Sequence, residues 1–268
     1  MNTCNDALHE QLLDITRELI EVCREHDIQY YLSWGSCLGA VRHQDIIPWD
    51  DDVDIYIDYQ DMDKLKSAFA GNSTYFYQDL DTDPESFVYW PKLRKNNTTS
   101  MDTTKKAMNM HWGICVDLFP LMHYDKPAAS RMTNAKIKAL AILARLPYYK
   151  KLGDRPQHKI WKALYAVLGE KYRKKFFFKL LDSINCPDGA YYLDISDVPS
   201  IIMPREDFGK GTEMPFRKLM AKVPDQYDKY LTRAYGKDYM QIPPEDSQLR
   251  YFHDTSVVDC DRDYRYYL

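Results

Sequence analysis

The chain has 268 residues and a mass of 31.7 kDa, with 45% hydrophobic and 28% charged residues, the balance of an ordinary globular protein. Ten Gly and 14 Pro exclude collagen-like and low-complexity readings, and no apolar run approaches the roughly 18 residues of a membrane-spanning helix. Net charge is only −4, but residues 126–182 hold fifteen Lys or Arg against Asp154, Glu170 and Asp182, a local balance of +12 that leaves −16 for the rest.

The opening MNTCNDALHE lacks the basic and apolar regions of a signal peptide, so the chain is expected to remain in the cytosol. In the first segment, Leu8, Leu12, Leu13, Ile15, Leu19, Ile20 and Cys23 form a helical stripe. A strand is predicted from Ile28 to Trp34, then a turn at Gly35-Ser36 into a short helix, Cys37 to His43. Pro48 interrupts the next loop, and residues 52–57 alternate with period two, the mark of a second strand. Asp61 and Asp63 open a helix through Ala70. Strands are expected at 75–77 and 87–94, with a turn at 81–84 between them. A polar loop, Lys95 to Lys106, leads to another strand, His111 to Phe119, stopped by Pro120. Residues 130–146 and 158–184 carry helical, basic patterns, and the last third holds short strands and one helix, Gln226 to Tyr235. This order implies an α+β fold: a mixed-sheet core (1–125), a basic helical region (126–185) and a C-terminal part completing the domain (186–268).

The six cysteines, Cys4, Cys23, Cys37, Cys115, Cys186 and Cys260, form no CxxC pair, which argues for reduced, buried thiols over metal knuckles. Chemistry concentrates instead between Trp34 and Asp54. On a strand, Asp52 and Asp54 project to one side while Val53 and Ile55 face the core. Two adjacent carboxylates repel unless a hard cation sits between them, and Mg²⁺, with Mn²⁺ as the alternative, meets that need and bridges to phosphate oxygens. Gly35-Ser36 precedes a helix start, where backbone N–H groups attract phosphate. A calcium loop from Asp50 fails, because Ile55 stands where Gly is needed and Asp61 where Glu is needed. A nucleotidyltransferase-type site needs a third carboxylate, and Asp117, ending an apolar strand, supplies it. Arg42, Lys92 and Arg94 are candidate phosphate ligands. His43, His111 and His253 lack metal-ligand spacing and are read as structural.

The run YYLSWGSCLGAVRHQDIIPWDDDVDIYI (30–57) resembles the signature of the LicD family, which includes bacterial phosphocholine transferases and resembles fukutin and fukutin-related protein. ICVDLFPL (114–121) and YGKDYMQIPP (235–244), followed by Arg250 and His253, extend the resemblance over most of the chain. It implies a nucleotidyltransferase-like core that uses Mg²⁺ to transfer a phospho-alcohol from a CDP-alcohol donor to a glycan or lipid-linked glycan acceptor; no nucleic-acid partner is expected. It places Gly35 and Ser36 at the phosphate turn, Asp52 and Asp54 at the metal and Asp117 at the third acidic position. Trp34, Trp49, Trp90 and Trp112 are candidate walls of a cage for a quaternary ammonium. Finally, Lys171, Arg173, Lys174, Lys175 and Lys179 flank Phe176-Phe177-Phe178, a pairing suited to peripheral contact with an anionic membrane.

Overall fold

The computed structural model describes residues 3–87, 89–151, 156–196, 200–248 and 257–268. Helix α1 (Thr3–Glu25) buries the predicted stripe from Leu8 to Cys23, each Leu or Ile contributing about 1.5–3 kcal/mol by leaving water. Strand β1 (Tyr30–Leu32), helix α2 (Trp34–His43), strand β2 (Asp54–Asp58) and helix α3 (Met62–Ala68) follow. After them come β3 (Tyr75–Gln78), β4 (Lys92–Lys95), β5 (Thr99–Met101) and β6 (Cys115–Tyr124). The central sheet runs β1-β2-β6-β4-β3, with β2 and β6 parallel and their neighbours antiparallel. Beyond the helices α4 (Arg131–Lys151) and α5 (Pro156–Asp182), strand β7 (Tyr191–Asp194) returns to pair with the far end of β6, and β8 (Ile202–Pro204) pairs with β7. The short α6 (Arg205–Phe208), the hairpin β9 (Thr212–Phe216) and β10 (Leu219–Val223), α7 (Tyr227–Tyr235), α8 (Glu245–Gln248) and β11 (Val257–Asp259) complete the chain. A mixed sheet with helices about it is the expected α+β architecture.

Several predicted boundaries shift: the first strand shortens to Tyr30–Leu32, and β2 begins at Asp54, which leaves Asp52 in the loop before it and not on the strand. The helix expected from Cys37 begins at Trp34, so Gly35 and Ser36 form its first turn. The strand expected over 87–94 is confined to Lys92–Lys95, after Pro91. The strand expected to stop at Pro120 runs through it to Tyr124. The ladder explains this. Asp117 N–H donates to Val53 O on the β2 side, whereas Leu118 N–H donates to Pro91 O on the β4 side. By alternation the nitrogen of Pro120 faces the same side as that of Leu118, where pairing to β4 has ended at Asp117 and pairing to β7 begins only at Leu121. No ladder bond is lost, so proline is tolerated there.

The basic helices pack on the sheet through Ile137, Leu140, Phe177 and Leu181 against Met122, Tyr124 and Leu193. Here the five-cation cluster of the sequence divides. Arg173 is fully buried and donates to Leu143 O (3.3 Å) and Pro84 O (2.8 Å), and Lys174 turns to Glu170 and Asp81. Lys171, Lys175 and Lys179 are exposed, as is Phe176, while Phe177 is core. Cys23 and Cys37 are buried free thiols, and burial pushes the Cys23 thiol up to about 12.

Candidate active site

Three neighbouring strands set the site. The register pairs Asp54 of β2 with Asp117 of β6, and Asp117 with Lys92 of β4, so the three side chains form a row at one end of the sheet. Lys92 Nζ is ion-paired with Asp117 Oδ1, and Trp90 Nε1 donates to Asp117 Oδ2 at 3.0 Å. Burial first, then Asp52, Asp117 and Asp50, hold the Asp54 carboxyl well above the usual carboxylate range. Burial pulls Lys92 down, but the neighbouring Asp117 outweighs it and leaves the ammonium above its ordinary value.

The loop before β2 supplies the rest of the acid cluster: Asp50, Asp51 and Asp52 bring one carboxylate oxygen each within 4.8 Å of one another. His9 of α1, buried, contacts Asp50 O through Nε2 at 2.7 Å and so ties this loop to the first helix. Gly35 lies directly opposite. A Cβ there would stand 2.7 Å from Asp50 Oδ2, so only glycine leaves this approach open. Ser36 is buried, and its Oγ accepts from Asp54 N–H at 2.8 Å, fixing the start of β2 against α2.

Trp34 adopts φ +43, a left-handed backbone rarely taken by a tryptophan. Two partners hold it: Trp34 N–H donates to Tyr230 Oη at 2.8 Å, and its indole Nε1–H to Asp194 Oδ2 at 3.0 Å. Asp194 also accepts from Tyr56 Oη (2.5 Å) and Ser196 N–H (2.7 Å). Burial raises its carboxyl above the ordinary value despite those bonds.

Two chambers meet at the acid row. The first, of about 640 Å³, is lined by Trp34, Gly35, Arg42, Asp50, Asp52 and Asp54, with Trp49, Tyr235 and Tyr239 adding aromatic wall. The second, of about 650 Å³, is lined by Asp117, Lys92, Lys105 and Arg145, with Trp112, Tyr148 and Tyr149 among its aromatics. Asp52 and Trp90 line both.

The structure therefore gathers Gly35, Arg42, Asp52 and Asp54 on one side, and Lys92 and Asp117 on the other. Arg42 donates to Tyr239 O (2.9 Å) and Gln241 O (3.2 Å) and lies 5.8 Å from the Trp49 ring centre. Arg94 is buried and bonded to Gln78 Oε1 (2.5 Å) and Gly113 O (2.6 Å), which makes it a strut under the second chamber. Of the tryptophans, Trp34, Trp49 and Trp90 share the first chamber, and Trp112 packs apart with Met101, Met108, Met110 and Tyr264. His111 is buried between Asn96 Oδ1 (2.8 Å) and Gly113 N–H (3.0 Å), and burial, with Arg94 and Arg265, lowers it to about 3. Arg250 and His253 lie outside the described residues. Sequence reasoning missed His9 and Asp194, whose single acidic or imidazole groups carry no local pattern. Asp50 was visible in the acidic run, but its meeting with Gly35 was not.

A sequence model of the family described as LicD/FKTN/FKRP, nucleotidyltransferase domain, matches residues 27–164, half of the chain, including the acid row. The chain belongs to the LicD family. It is 24% identical over 240 residues to "Lipopolysaccharide cholinephosphotransferase LicD" of Haemophilus influenzae, covering 85% of this chain and 88% of that protein. It is 42% identical over 64 residues to human "Ribitol 5-phosphate transferase FKRP", 23% of this chain and 13% of that one. A 51-residue match at 49% identity joins it to "Uncharacterized protein RP689" of Rickettsia prowazekii, 19% of this chain and 18% of that one. The acid row and its two chambers are thus the candidate active site of a LicD-type phosphotransferase. Among the described residues, no helix is long and apolar enough to cross a membrane.

Proposed function

We propose that this LicD-type enzyme moves a phosphocholine-like phospho-alcohol from a CDP-alcohol donor to a sugar hydroxyl of a cell-surface glycan precursor, in the cytosol and with Mg²⁺. One observation carries the reading: the carboxylates stand where two chambers of similar size meet, one beside the glycine-bearing helix start and one beside Lys92 and Arg145. The Haemophilus relative is named for cholinephosphate transfer and FKRP for ribitol 5-phosphate transfer, so both names describe a phosphate that carries an alcohol.

The all-oxygen donor set of Asp50, Asp51 and Asp52, continued by the crowded Asp54, fits a hard divalent ion. Asp52 and Asp54 would hold it, with Asp117 as the third carboxylate. When bound, it supplies charge neutralisation for the diphosphate and for the departing CMP. The rest falls to the chain. With Trp34 N–H held by Tyr230, the N–H groups of Gly35 and Ser36 in the first turn of α2 bind a phosphate oxygen. Trp34, Trp49 and Trp90 wall the donor's alcohol, and a cationic alcohol is held by their faces. The acceptor hydroxyl enters from the second chamber, oriented by Asp117, which Lys92 and Trp90 hold in place. Its oxygen bonds to the alcohol-bearing phosphorus, its proton passes to Asp117, and the bond from that phosphorus to the CMP oxygen breaks.

The test is the mass of the product. Incubation with CDP-choline or CDP-ribitol and a glycan acceptor should add a phospho-alcohol to the acceptor. Addition of a cytidylyl group instead would make the protein a nucleotidyltransferase, and nucleotide binding without any product would make it a non-catalytic binder.

A further inference from the structure

Helix α5 breaks at Gly169, whose φ of +64 and ψ of 170 leave the helical region and divide it into two halves. On the first half Ile160, Leu164 and Val167 follow the i, i+4, i+7 spacing of one face and are 68%, 36% and 85% exposed. On the second, Tyr172 and Phe176 are 57% and 49% exposed. One position away on each turn runs a row of cations, Lys171, Lys175 and Lys179, all exposed. Large apolar side chains are not left in water over a whole helix without reason, and after the break, past the exposed Glu170, they stand beside the lysine row.

We infer that the outer side of α5 rests in the plane of an anionic lipid bilayer, with Ile160, Leu164 and Val167 entering the headgroup boundary and Lys171, Lys175 and Lys179 meeting lipid phosphates. Apolar side chains exposed on the half before Gly169, and Tyr172 and Phe176 beside a lysine row on the half after it, suit two short helices lying in the interface plane. The row belongs to a region, residues 126–182, whose sequence balance is +12, although Arg173 is buried and Lys151 and Lys174 are paired with acids, so the exposed lysines carry the complementarity. A second copy of the chain is the poorer occupant, because a two-fold contact on this side would set the lysine row against itself. Helix α4, packed on α5, carries Arg145, Tyr148 and Tyr149 into the second chamber. Seating the helical pair on a membrane therefore brings that chamber close to a lipid-borne acceptor, a consequence that rests on the proposed function, whereas the docking itself does not.

Co-sedimentation of the full chain with vesicles tests it, and needs no turnover. Vesicles of phosphatidylglycerol and phosphatidylcholine in equal parts should pellet the protein at low salt, and pure phosphatidylcholine vesicles should not. The triple variant K171E/K175E/K179E should bind about 100-fold more weakly, from the loss of three surface attractions, and raised salt should act in the same direction. Leu164→Ser with Val167→Ser should weaken binding while leaving its salt dependence. All five positions are exposed, so a circular dichroism spectrum and melting temperature like the wild type are expected. Failure to sediment at low salt, equal binding by the lysine variant, or a dimer in sedimentation velocity that Leu164→Ser/Val167→Ser dissolves would each overturn the proposal.

Discussion

Replacing Lys92 by Met keeps the length of the side chain and removes the one cation in register with the acid row. Both Lys92 and Asp117 side chains are only 14% exposed, so the carboxylate left behind is largely desolvated, with Trp90 Nε1–H and the weak thiol donor Cys115 Sγ (3.9 Å) still facing it and Asp54 directly across the ladder. Breaking a fully buried pair costs about 3–5 kcal/mol. The chamber beside Asp117 admits water, which softens the loss to about 2–3 kcal/mol. Urea denaturation measures it. Because the destabilisation comes from an uncompensated charge, Lys92→Met/Asp117→Asn should regain most of the loss. For the same reason Mg²⁺ should stabilise Lys92→Met more than the wild type, since a ligand that binds only the folded state adds stability by mass action. A Lys92→Met protein within about 0.5 kcal/mol of the wild type, or a double variant no better than the single, would refute this electrostatic account of the row.

Asp52→Asn and Asp54→Asn should each lower Mg²⁺-dependent turnover about 100-fold or more with the fold intact by circular dichroism; unchanged turnover in both would remove the metal assignment. Gly35→Ala puts a Cβ 2.7 Å from Asp50 Oδ2 and pushes that carboxylate aside, so calorimetric titration should show weaker donor binding with little change in melting temperature, and equal affinity would contradict the phosphate cradle. His123 and Asp58 form a buried pair at 2.8 Å, joined by Tyr192 Oη at 2.6 Å. Burial opposes both charges, yet the Asp58 bond raises His123 above 6.5, and the bonds from His123 and Tyr192 lower Asp58 below 3.8. The His123 contribution is therefore complete below pH 6.5 and lost as pH rises through its folded value, while that of Asp58 is complete above 3.8 and lost as pH falls through its own. The stability advantage of the wild type over His123→Gln should accordingly be larger at pH 5.5 than at pH 9, by about 1.4 kcal/mol for each unit by which His123 is raised; an equal advantage at both would remove the pair.

What the sequence made legible was local. The α1 stripe and the apolar character of β2 and β6 follow from spacing within a few residues, but the alternation expected from Asp52 does not hold, because β2 begins at Asp54, and Asp117 stands near the start of β6 instead of ending an apolar strand. The meeting of Asp54, Asp117 and Lys92 depends on strand register across separations of up to 63 residues, which no local pattern encodes. Ser36 looked like a phosphate ligand because serines favour helix starts, but its Oγ is taken by Asp54 N–H. Arg94 carried the charge of a phosphate ligand, yet burial commits it to Gln78 and Gly113. Asp194 has no recognisable neighbours in sequence and finds Trp34 and Tyr56 only through β7 pairing onto β6. Pro120 misled in the opposite sense, because whether proline ends a strand depends on which edge its nitrogen faces.

The most direct measurement is CMP release, followed by mass spectrometry, from a panel of CDP-alcohols. The wild type should release CMP from one donor when Mg²⁺ and a glycan acceptor are present. Chelation of the metal or Asp54→Asn should suppress the signal about 100-fold or more. Release that survives both, or no CMP from any donor in the panel, would contradict a phospho-alcohol transfer at the acid row.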